Sequence, residues 1–441
     1  MPNFRYILRL TAAFFSRFKV LMILGVFVGV VMFFAIRFLV PLFSGFSTTK
    51  IGLTGRYSGN TLPAPILKMI GEGLTKLSKD GSVEPDLASS WETPDVGKTW
   101  IFHLKNNNFW QDGKAVTSAD INYAFSDVTI TRPDVKTITF KLQTPYSAFP
   151  SIVSRPTFKT GLLGTGVWEV KNLSVVGSIV EQIDLQNKSD ERIIYKFYPT
   201  EEQTKLAFEL GQVDSIQGIF DLAPFNAWPK VKVGKNIDTG EFVAVFFNTQ
   251  DKLLTDKTFR QGLSYAIDKN KFGNLRAISP ISTDSWAYNS QVKPYDFDLD
   301  KAKGIINDYK KSAKVSEVSI NLTAPPVLLT QAESIAKDWE TAGMKVNLQV
   351  MSNIPSDYEA LLAIFDIPDD PDQYSIWHST QTSTNITHYS NPRIDKLLED
   401  GRTEIDIQQR KQTYFDFQRF LVEDSPAVFL YYPTTYTISR N

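Results

Sequence analysis

The stretch TWIFHLKNNNFWQDGKAVTSADINYAF, residues 99–125, carries three local structural signals in direct succession. Apolar residues alternate with more polar ones over Trp100–Leu104, which predicts a strand with two different faces. The pair Asp112–Gly113 predicts a tight turn, because glycine accepts a positive φ without a Cβ clash. Thr117, with Asp120 three residues later, predicts the N-cap of a short helix. These signals indicate a folded protein that mixes strands and helices.

In order and spacing, this stretch resembles the signature region of the family 5 extracellular solute-binding proteins. The resemblance continues in IGEGLTKLSKDGSVEPDLASSWE (70–92) and ITHYSNPRIDKLLED (386–400), and it covers most of the chain beyond residue 50. Members of the family are the receptors of ATP-binding cassette (ABC) importers for peptides, nickel or other solutes. The resemblance implies a two-lobe, periplasmic-binding-protein-like α/β fold of the class II type, with the ligand in a cleft between lobes that close by hinge bending.

Length and charge set outer limits on the class of protein. A chain of 441 residues predicts two or more domains. The first 46 residues hold five of the 47 basic residues and no acid, so the remainder has 42 basic against 48 acidic residues, a net charge of −6. No basic patch indicates a nucleic-acid partner. The absence of cysteine excludes disulfides, thiol catalysis, cysteine-bound metals and a lipid anchor on cysteine.

The N-terminal region contains a long apolar run. Residues 20–36 form 17 consecutive apolar or glycine residues, and FLVPLF follows Arg37. This pattern predicts a transmembrane anchor over 20–43, preceded by a cytoplasmic basic segment over 1–19. The protein is then a single-pass cell-membrane protein with the bulk of its chain outside the cytoplasm. A cleaved signal peptide is the alternative, although no clear small-x-small cleavage site follows the run.

The rest of the chain reads as alternating strands and helices. A strand over 241–250 precedes a helix from Asp256, and a strand, helix and strand over 318–350 predict a parallel βαβ unit. By resemblance, the first hinge lies near Asn248, lobe I comprises 47–247 plus 426–441, and lobe II comprises 248–425. A subdomain that the family inserts in lobe I is predicted to be reduced, because only about a dozen residues separate the signature stretch from the next strand.

A helix capped by Thr200 is predicted in lobe I. Gln203 stands at its third position, and Leu206, Ala207 and Leu210 are expected along one side. These three residues predict its packed face.

The densest polar and aromatic cluster is IFDIPDDPDQYSIWHSTQ, residues 364–381. On composition alone it is a solvated loop, and it lacks the residue order of an EF-hand calcium loop. By resemblance, one aspartate of this loop pairs with the α-ammonium group of a peptide ligand. We expect Asp369 in that role first and Asp366 or Asp370 next. The predicted ligand-binding residues of this loop are Asp366, Asp369, Asp370, Asp372, Tyr374 and Trp377.

Several residues outside this loop are also candidates for the cleft. A surplus of aromatic residues, 13% of the chain, suits either a large core or a cleft that stacks on ligands. Trp286 and Trp377 are favoured because they lie in loop-like segments beside polar residues. Asn248 is expected to donate to a ligand backbone or to cap the next helix. The remaining aromatic candidates are Trp110, Tyr288, Tyr57, Phe246 and Phe247.

The predicted function is that of a solute receptor without catalytic activity. We expect it to capture short peptides as a monomeric ectodomain and to deliver them to the permease subunits of an importer. No cofactor or metal is expected, since the histidines His103, His378 and His388 do not have zinc-site spacing. The alternatives are a receptor for an oligosaccharide or a metal chelate, and a cell-surface hydrolase that uses paired carboxylates. No G-x-S-x-G, H-E-x-x-H or P-loop pattern occurs.

Overall fold

The computed structural model describes residues 17–20, 24–25, 27–34, 48–59, 61–273, 275–353, 355 and 357–440. Within the predicted anchor, residue 20 and the ranges 24–25 and 27–34 are helical with exposed side chains, and the rest of 20–43 lies outside the described residues. Most of the predicted basic segment 1–19 also lies outside them. Among the residues that are described, no helix has the length and apolar character needed to cross a membrane.

The elements of the described residues alternate between strand and helix along the chain. The strands are β1 (Thr48–Thr54), β2 (Thr75–Leu77), β3 (Val83–Pro85), β4 (Ala88–Glu92), β5 (Thr99–Leu104), β6 (Thr129–Asp134), β7 (Thr137–Lys141), β8 (Trp168–Val176), β9 (Ile179–Asn187), β10 (Arg192–Tyr198), β11 (Ser215–Ile219), β12 (Val231–Ile237), β13 (Glu241–Phe247), β14 (Ser319–Ala324), β15 (Lys345–Val350), β16 (Ala360–Asp366), β17 (Ala427–Tyr431) and β18 (Thr434–Arg440). The helices are α1 (Ala64–Ile70), α2 (Phe149–Ile152), α3 (Glu201–Glu209), α4 (Lys257–Ala266), α5 (Leu299–Ala313), α6 (Leu329–Thr341), α7 (Tyr374–Trp377), α8 (Pro392–Thr403) and α9 (Ile407–Asp424).

A seven-stranded sheet with the order β12-β18-β11-β1-β10-β9-β8 forms the frame of the first half of the chain. In it, β1 runs parallel to both β10 and β11, so the carboxyl ends of these three strands lie at one edge. Strands β9 and β18 pair antiparallel to β10 and β11. Three parallel strands with a common carboxyl edge are the arrangement at which α/β sheets bind ligands.

A five-stranded sheet with the order β15-β14-β16-β13-β17 forms the second frame. Strand β14 is parallel to β15 and β16, and α6 connects β14 to β15, which confirms the predicted βαβ unit. The largest cluster of buried apolar side chains surrounds this sheet. The carboxyl ends of β14 and β16 lie at one edge, close to Ala324 and Asp366.

The chain crosses between the two sheets at positions that differ from the prediction. Strands β13 and β17 pair with each other in the five-stranded sheet, whereas both were assigned to lobe I. The connections are 238–240, between β12 and β13, and 432–433, between β17 and β18. Because Phe242 to Phe247 are buried without alternation, β13 needs cover on both faces, and the interior of the second sheet provides it.

The signature stretch builds part of a smaller unit, defined here as residues 83–153. Its four-stranded antiparallel sheet has the order β4-β5-β7-β6, and β5 buries alternate residues as predicted. Gly113 has a φ of 80°, which the predicted turn requires. The predicted helix is wrong beyond one 3-10 turn at Ser118–Asp120, although Thr117 and Asp120 do form a capping box. The chain is extended beyond it because Phe125 packs between the aromatic rings of this unit's core.

Helix α3 begins where the sequence predicts but buries a different face. The hydroxyl of Thr200 accepts a hydrogen bond from the backbone N–H of Gln203, at 3.3 Å. Thr204, Ala207 and Phe208 are buried, whereas Leu206 and Leu210 are exposed. The predicted face is therefore confirmed for Ala207 and wrong for Leu206 and Leu210, because Phe208 packs against Phe225 and the helix faces that contact.

Candidate functional site

A cavity of about 680 Å³ lies where the carboxyl edges of the two large sheets face each other. We call this cavity the cleft. Its volume is in the range of ordinary small-ligand sites. The seven-stranded side contributes residues that directly follow β10 and β11, and the five-stranded side contributes residues that directly follow β14. Among its lining residues are Glu201, Glu202, Phe220, Asp221, Pro326, Val327, Gln331, Ile364, Tyr431 and Tyr436.

The two walls of the cleft present apolar side chains to solvent. Phe220, on the seven-stranded side, is 39% exposed, and Val327, on the five-stranded side, is 54% exposed. Apolar groups that remain exposed inside a concave site lose this exposure when a ligand fills it, which is favourable by about 25 cal/mol per Å². The walls are therefore suited to a ligand with apolar side chains.

An ion-pair network holds one wall in place. The carboxylate of Glu201 accepts hydrogen bonds from the backbone N–H groups of Phe220 and Asp221, at 2.9 and 3.1 Å. Lys205 lies 2.9 Å from Glu201 and 3.0 Å from Asp221, and its side chain is largely buried. Because α3 and the segment after β11 are joined in this way, Phe220 is presented on a fixed backbone.

Two carboxyl groups lie together beside the floor of the cleft, which is formed by Val243 and Ile364. Glu241 and Asp366 are paired across β13 and β16, two residues along from Val243 and Ile364, which line the cavity. Side chains two residues apart in a strand share a face, so both carboxyl groups lie on the same side of the sheet as the floor, next to its lining residues. Burial raises the pKa of Glu241 to about 7, and the negative charges of Asp238 and Asp366 add to the shift. A cation placed here would lower that pKa again and relieve the repulsion.

Beside the connection at 238–240 the β2–β3 hairpin and the smaller unit contact the second frame directly. The hairpin tip between β2 and β3, at Ser78–Ser82, meets residues 281–285 and 367–369 around a cavity of about 230 Å³. The backbone N–H of Trp286 donates to the carbonyl of Asp80 at 2.8 Å, and the backbone N–H of Ser147 donates to the carbonyl of Arg402 at 2.8 Å. We call this line of contacts the seam.

The four predicted aspartates have two different environments. Asp366 and Asp369 are exposed, the first beside the cleft floor and the second at the seam. Asp370 and Asp372 are buried and paired with Arg410 and Arg402. The carboxylates in this short loop therefore do not require a metal ion, because two arginines from α8 and α9 neutralise the buried pair.

Most of the predicted aromatic residues lie in hydrophobic cores and not in the cleft. Trp377 is buried against Phe246 and Phe429, because the short helix α7 turns its ring inward. The prediction that Trp377 contacts a ligand in the cleft is therefore wrong. Phe246 and Phe247 are buried in β13, and Trp110 is buried in the core of the smaller unit.

The remaining candidates surround the two frames without lining the cleft. Trp286 lines a cavity at the seam, and Tyr288 is half-buried two residues later. Tyr57 packs on Phe197, and its hydroxyl donates to the carbonyl of Thr54 at 3.1 Å. Asn248 accepts from the backbone N–H of Gln250 at 3.1 Å, so it closes the turn that follows β13.

Two side chains at the edge of the acidic loop pack against each other. Tyr374 stacks on the ring of buried His378 at 4.1 Å, and the guanidinium of Arg402 lies 4.2 Å from the Tyr374 ring. Thr380 is 2.8 Å from Nδ1 of His378. Within the part of the chain that the structure describes, no group of three or more potential ligands is arranged for a metal ion.

The residues that line the cleft were not predicted from the sequence. Phe220 and Val327 stand in segments with no unusual composition. Both residues lie just after the carboxyl end of a strand in one of the two large sheets. Only the strand order of the two sheets shows which strand ends face each other across the cleft.

Comparisons with known proteins agree on one class. A sequence model described as "Bacterial extracellular solute-binding proteins, family 5 Middle" matches residues 82–385. The probable D,D-dipeptide-binding periplasmic protein DdpA of Escherichia coli is 24% identical over 422 residues, covering 79% of each chain. The dipeptide-binding protein DppE of Bacillus subtilis is 22% identical and covers 83% of this chain and 82% of its own.

Solved structures show the same fold. NikZ from Campylobacter jejuni, in complex with Ni(L-His), superposes with a TM-score of 0.70 at 20% identity, covering 89% of this chain and 94% of its own. The oligopeptide-binding protein AppA from Bacillus subtilis, in complex with a nonapeptide, gives a TM-score of 0.68 at 20% identity, covering 90% and 95%.

Proposed function

Because this chain belongs to the bacterial extracellular solute-binding proteins of family 5, we propose that it captures short peptides in the cleft and delivers them to an ABC importer. The observation that carries the proposal is the cleft itself, which lies between the carboxyl edges of two sheets joined by two connections. The proposed activity is binding, without a chemical step. The named dipeptide- and oligopeptide-binding relatives support a peptide over other solutes.

The walls and floor suit different parts of a peptide. Phe220 and Val327 would contact apolar side chains, and strand ends at both edges leave main-chain groups for a peptide backbone. The α-ammonium group would pair with Asp366, with Glu241 beside it, because negative charge accumulates at this edge of the floor and no cation pairs with either carboxyl group among the described residues. Asp369, expected first from the sequence, faces the seam, so we assign the ammonium contact to Asp366.

Closure of the cleft would bend the connections at 238–240 and 432–433. We propose a first lobe of residues 48–237 plus 434–440 and a second lobe of residues 241–431, each containing one large sheet. We also propose that residues 20–43 anchor the protein in the membrane, with the N-terminus in the cytoplasm and a monomeric ectodomain outside. Permease subunits of the importer would be its partners.

The test is direct identification of the bound solute. The full chain is purified in detergent from its native membrane, and solutes retained by the protein are released and identified by mass spectrometry. Synthetic di-, tri- and pentapeptides are then titrated calorimetrically. A peptide should be recovered, and at saturating concentration it should raise the unfolding temperature. Recovery of a nickel chelate or an oligosaccharide alone, with no heat from any peptide, would reject the peptide and leave the receptor class intact.

A further inference from the structure

A second cavity, of about 380 Å³, lies at the seam between the smaller unit and helix α9. It shares no lining residue with the cleft. The smaller unit contributes Trp91, Trp100 and Ser147, and the second frame contributes Trp286, Asp370 and Arg410. Its volume is within the range of small-molecule sites, and its walls come from the smaller unit and the second frame together.

The base of this cavity has polar groups with unused hydrogen-bonding capacity. The side chains of Arg410 and Asp370 are 6% and 10% exposed. The guanidinium group of Arg410 has five N–H groups. The N–H on Nε donates to the Gly401 carbonyl. One N–H on Nη1 and one on Nη2 donate to Asp370, and the other N–H on Nη2 donates to the Tyr414 hydroxyl. The second N–H of Nη1 has no partner among the residues described.

The neighbouring acceptor, the carboxylate of Asp370, also has unused hydrogen-bonding capacity. Oδ1 of Asp370 accepts from Arg410 and from the backbone N–H of Asp372, whereas Oδ2 accepts only from Nη1 of Arg410, at 2.9 Å. The base therefore offers one donor next to one acceptor. A hydroxyl group both donates and accepts, so it complements this pair.

The walls provide aromatic surface around the polar base. Trp100 is only 4% exposed and its indole N–H donates to the carbonyl of Gly97 at 3.1 Å, so it supports the wall, and the accessible aromatic surface comes from half-buried Trp91 and Trp286. Trp286 packs edge-on against Tyr414, and Trp91 lies against Phe102. Aromatic faces bind apolar surface such as the C–H face of a saturated ring.

Charge restricts the ligand further. The positive charge of Arg410 is cancelled by Asp370, and the remaining charged residues that line the cavity are Glu92 and Glu404. An anion would be repelled by these two carboxylates, and a neutral ligand would not be. We propose that this cavity is a second binding site for a hydroxylated ring without negative charge, such as a monosaccharide or a cyclic polyol, with one hydroxyl on Arg410 and Asp370 and its ring against tryptophan.

The site spans the seam, so a bound ligand contacts the smaller unit and the second frame at the same time. Such a ligand stabilises the arrangement of the seam seen here and, by linkage, changes the affinity of the cleft for its own ligand by the same factor in both directions.

The experiment is calorimetric titration of D-glucose, N-acetyl-D-glucosamine and myo-inositol into the full chain, held in a detergent that has no sugar head group. We expect at least one of the three to bind with a dissociation constant of about 1 mM or tighter. Trp286→Leu should weaken binding by about tenfold or more. Trp228→Leu is the matched control, since Trp228 is also half-buried but packs against Phe225 far from this cavity.

Three results would overturn the proposal. The first is no heat of binding from any of the three compounds up to about 50 mM. The second is an equal loss of affinity for the compound in Trp286→Leu and Trp228→Leu. The third is competition by a peptide together with weaker binding of the compound by Phe220→Ala, which would place the sugar in the cleft. Circular dichroism verifies that Trp286→Leu folds, and Trp91→Leu is the second variant if it does not. Peptide binding by Trp286→Leu shows separately whether the cleft still functions, so failure here and failure of the peptide proposal are distinguishable.

Discussion

The first half of the chain faces the second frame along the cleft and contacts it along the seam. These two interfaces differ in how their residues are arranged. At the cleft, side chains such as Phe220 and Val327 face open space across about 680 Å³. At the seam, backbone groups of Asp80 and Trp286 bond directly, and the buried pair Asp370–Arg410 lies close by. The difference suits a ligand-binding protein that closes on its ligand. The cleft must stay free for the ligand, whereas the contacts at the seam keep the two halves of the chain together.

The largest expected effect comes from breaking the buried pair at the seam. Arg410→Leu leaves the carboxylate of Asp370 buried without its cation, so we expect a loss of about 3–5 kcal/mol in the free energy of unfolding. Urea unfolding followed by circular dichroism measures it. Arg419→Leu is the control, because the Arg419–Asp416 pair is about half exposed on both sides and should contribute no more than about 0.5 kcal/mol. Equal losses in the two variants would contradict the assigned role of this buried pair, which stabilises the second-frame side of the seam.

A pair of glycines tests whether the seam holds the two frames together. Gly81 and Gly113 both lie in turns with φ of 78° and 80°. A Cβ at Gly81 would come within 3.1 Å of the Asp369 carbonyl across the seam, whereas a Cβ at Gly113 would meet nothing within 4 Å. Both valine variants carry similar backbone strain, but only Gly81→Val should increase the distance between the frames. Fluorescence energy transfer between labels on the two frames measures it, and an equal change in Gly113→Val would refute the idea.

On the cleft side, truncation should alter binding and leave stability nearly unchanged. Phe220→Ala removes exposed aromatic surface, so peptide affinity should fall by about fivefold to tenfold, with a change in unfolding free energy below about 1 kcal/mol. Titration calorimetry and urea unfolding give the two values. Phe109→Ala is matched, because Phe109 is also exposed but lies in the smaller unit. If Phe109→Ala weakened binding as much, the cleft would not be the binding site.

The smallest expected effect is a pH dependence at the cleft floor. The carboxyl group of Glu241 has a pKa of about 7 in the folded protein, above its usual value of 4.5. The folded state therefore holds more protons between these values, and this group lowers stability progressively as the pH rises from about 4.5 to about 7. Glu241→Gln should be more stable than the parent protein at pH 8 and about equal to it at pH 5. Unfolding midpoints at the two pH values measure this, with Glu209→Gln, at the exposed end of α3, as the control.

Sequence patterns predicted what depends on neighbours along the chain. The alternation over 99–104 became a two-faced strand, Thr200 capped α3, and the βαβ unit over 318–350 formed, because each feature is encoded by a pattern within one continuous segment of the chain. The helix after Thr117 stopped after one turn, since the tertiary packing of Phe125 outweighed the local capping signal.

The candidate site depends on contacts between distant parts of the chain, so the sequence predicted less of it. Asp370 and Arg410 are 40 residues apart, and nothing in the acidic loop indicates that an arginine from α9 pairs with it. Trp377 stands among polar residues in the sequence but is buried by the fold. Phe220 and Val327 face each other only because β11 and β14 end at opposed edges.

The two connections between the frames also constrain the order of folding. Strand β17 completes the edge of the five-stranded sheet, and β18 lies between β12 and β11 in the seven-stranded sheet. Both are formed by residues 427–440, so during synthesis neither sheet is complete before these residues have been made. A ribosome-bound chain that ends before residue 427 has neither sheet complete, and a receptor shortened there by premature termination or by a protease would lose both halves of its binding site in one event.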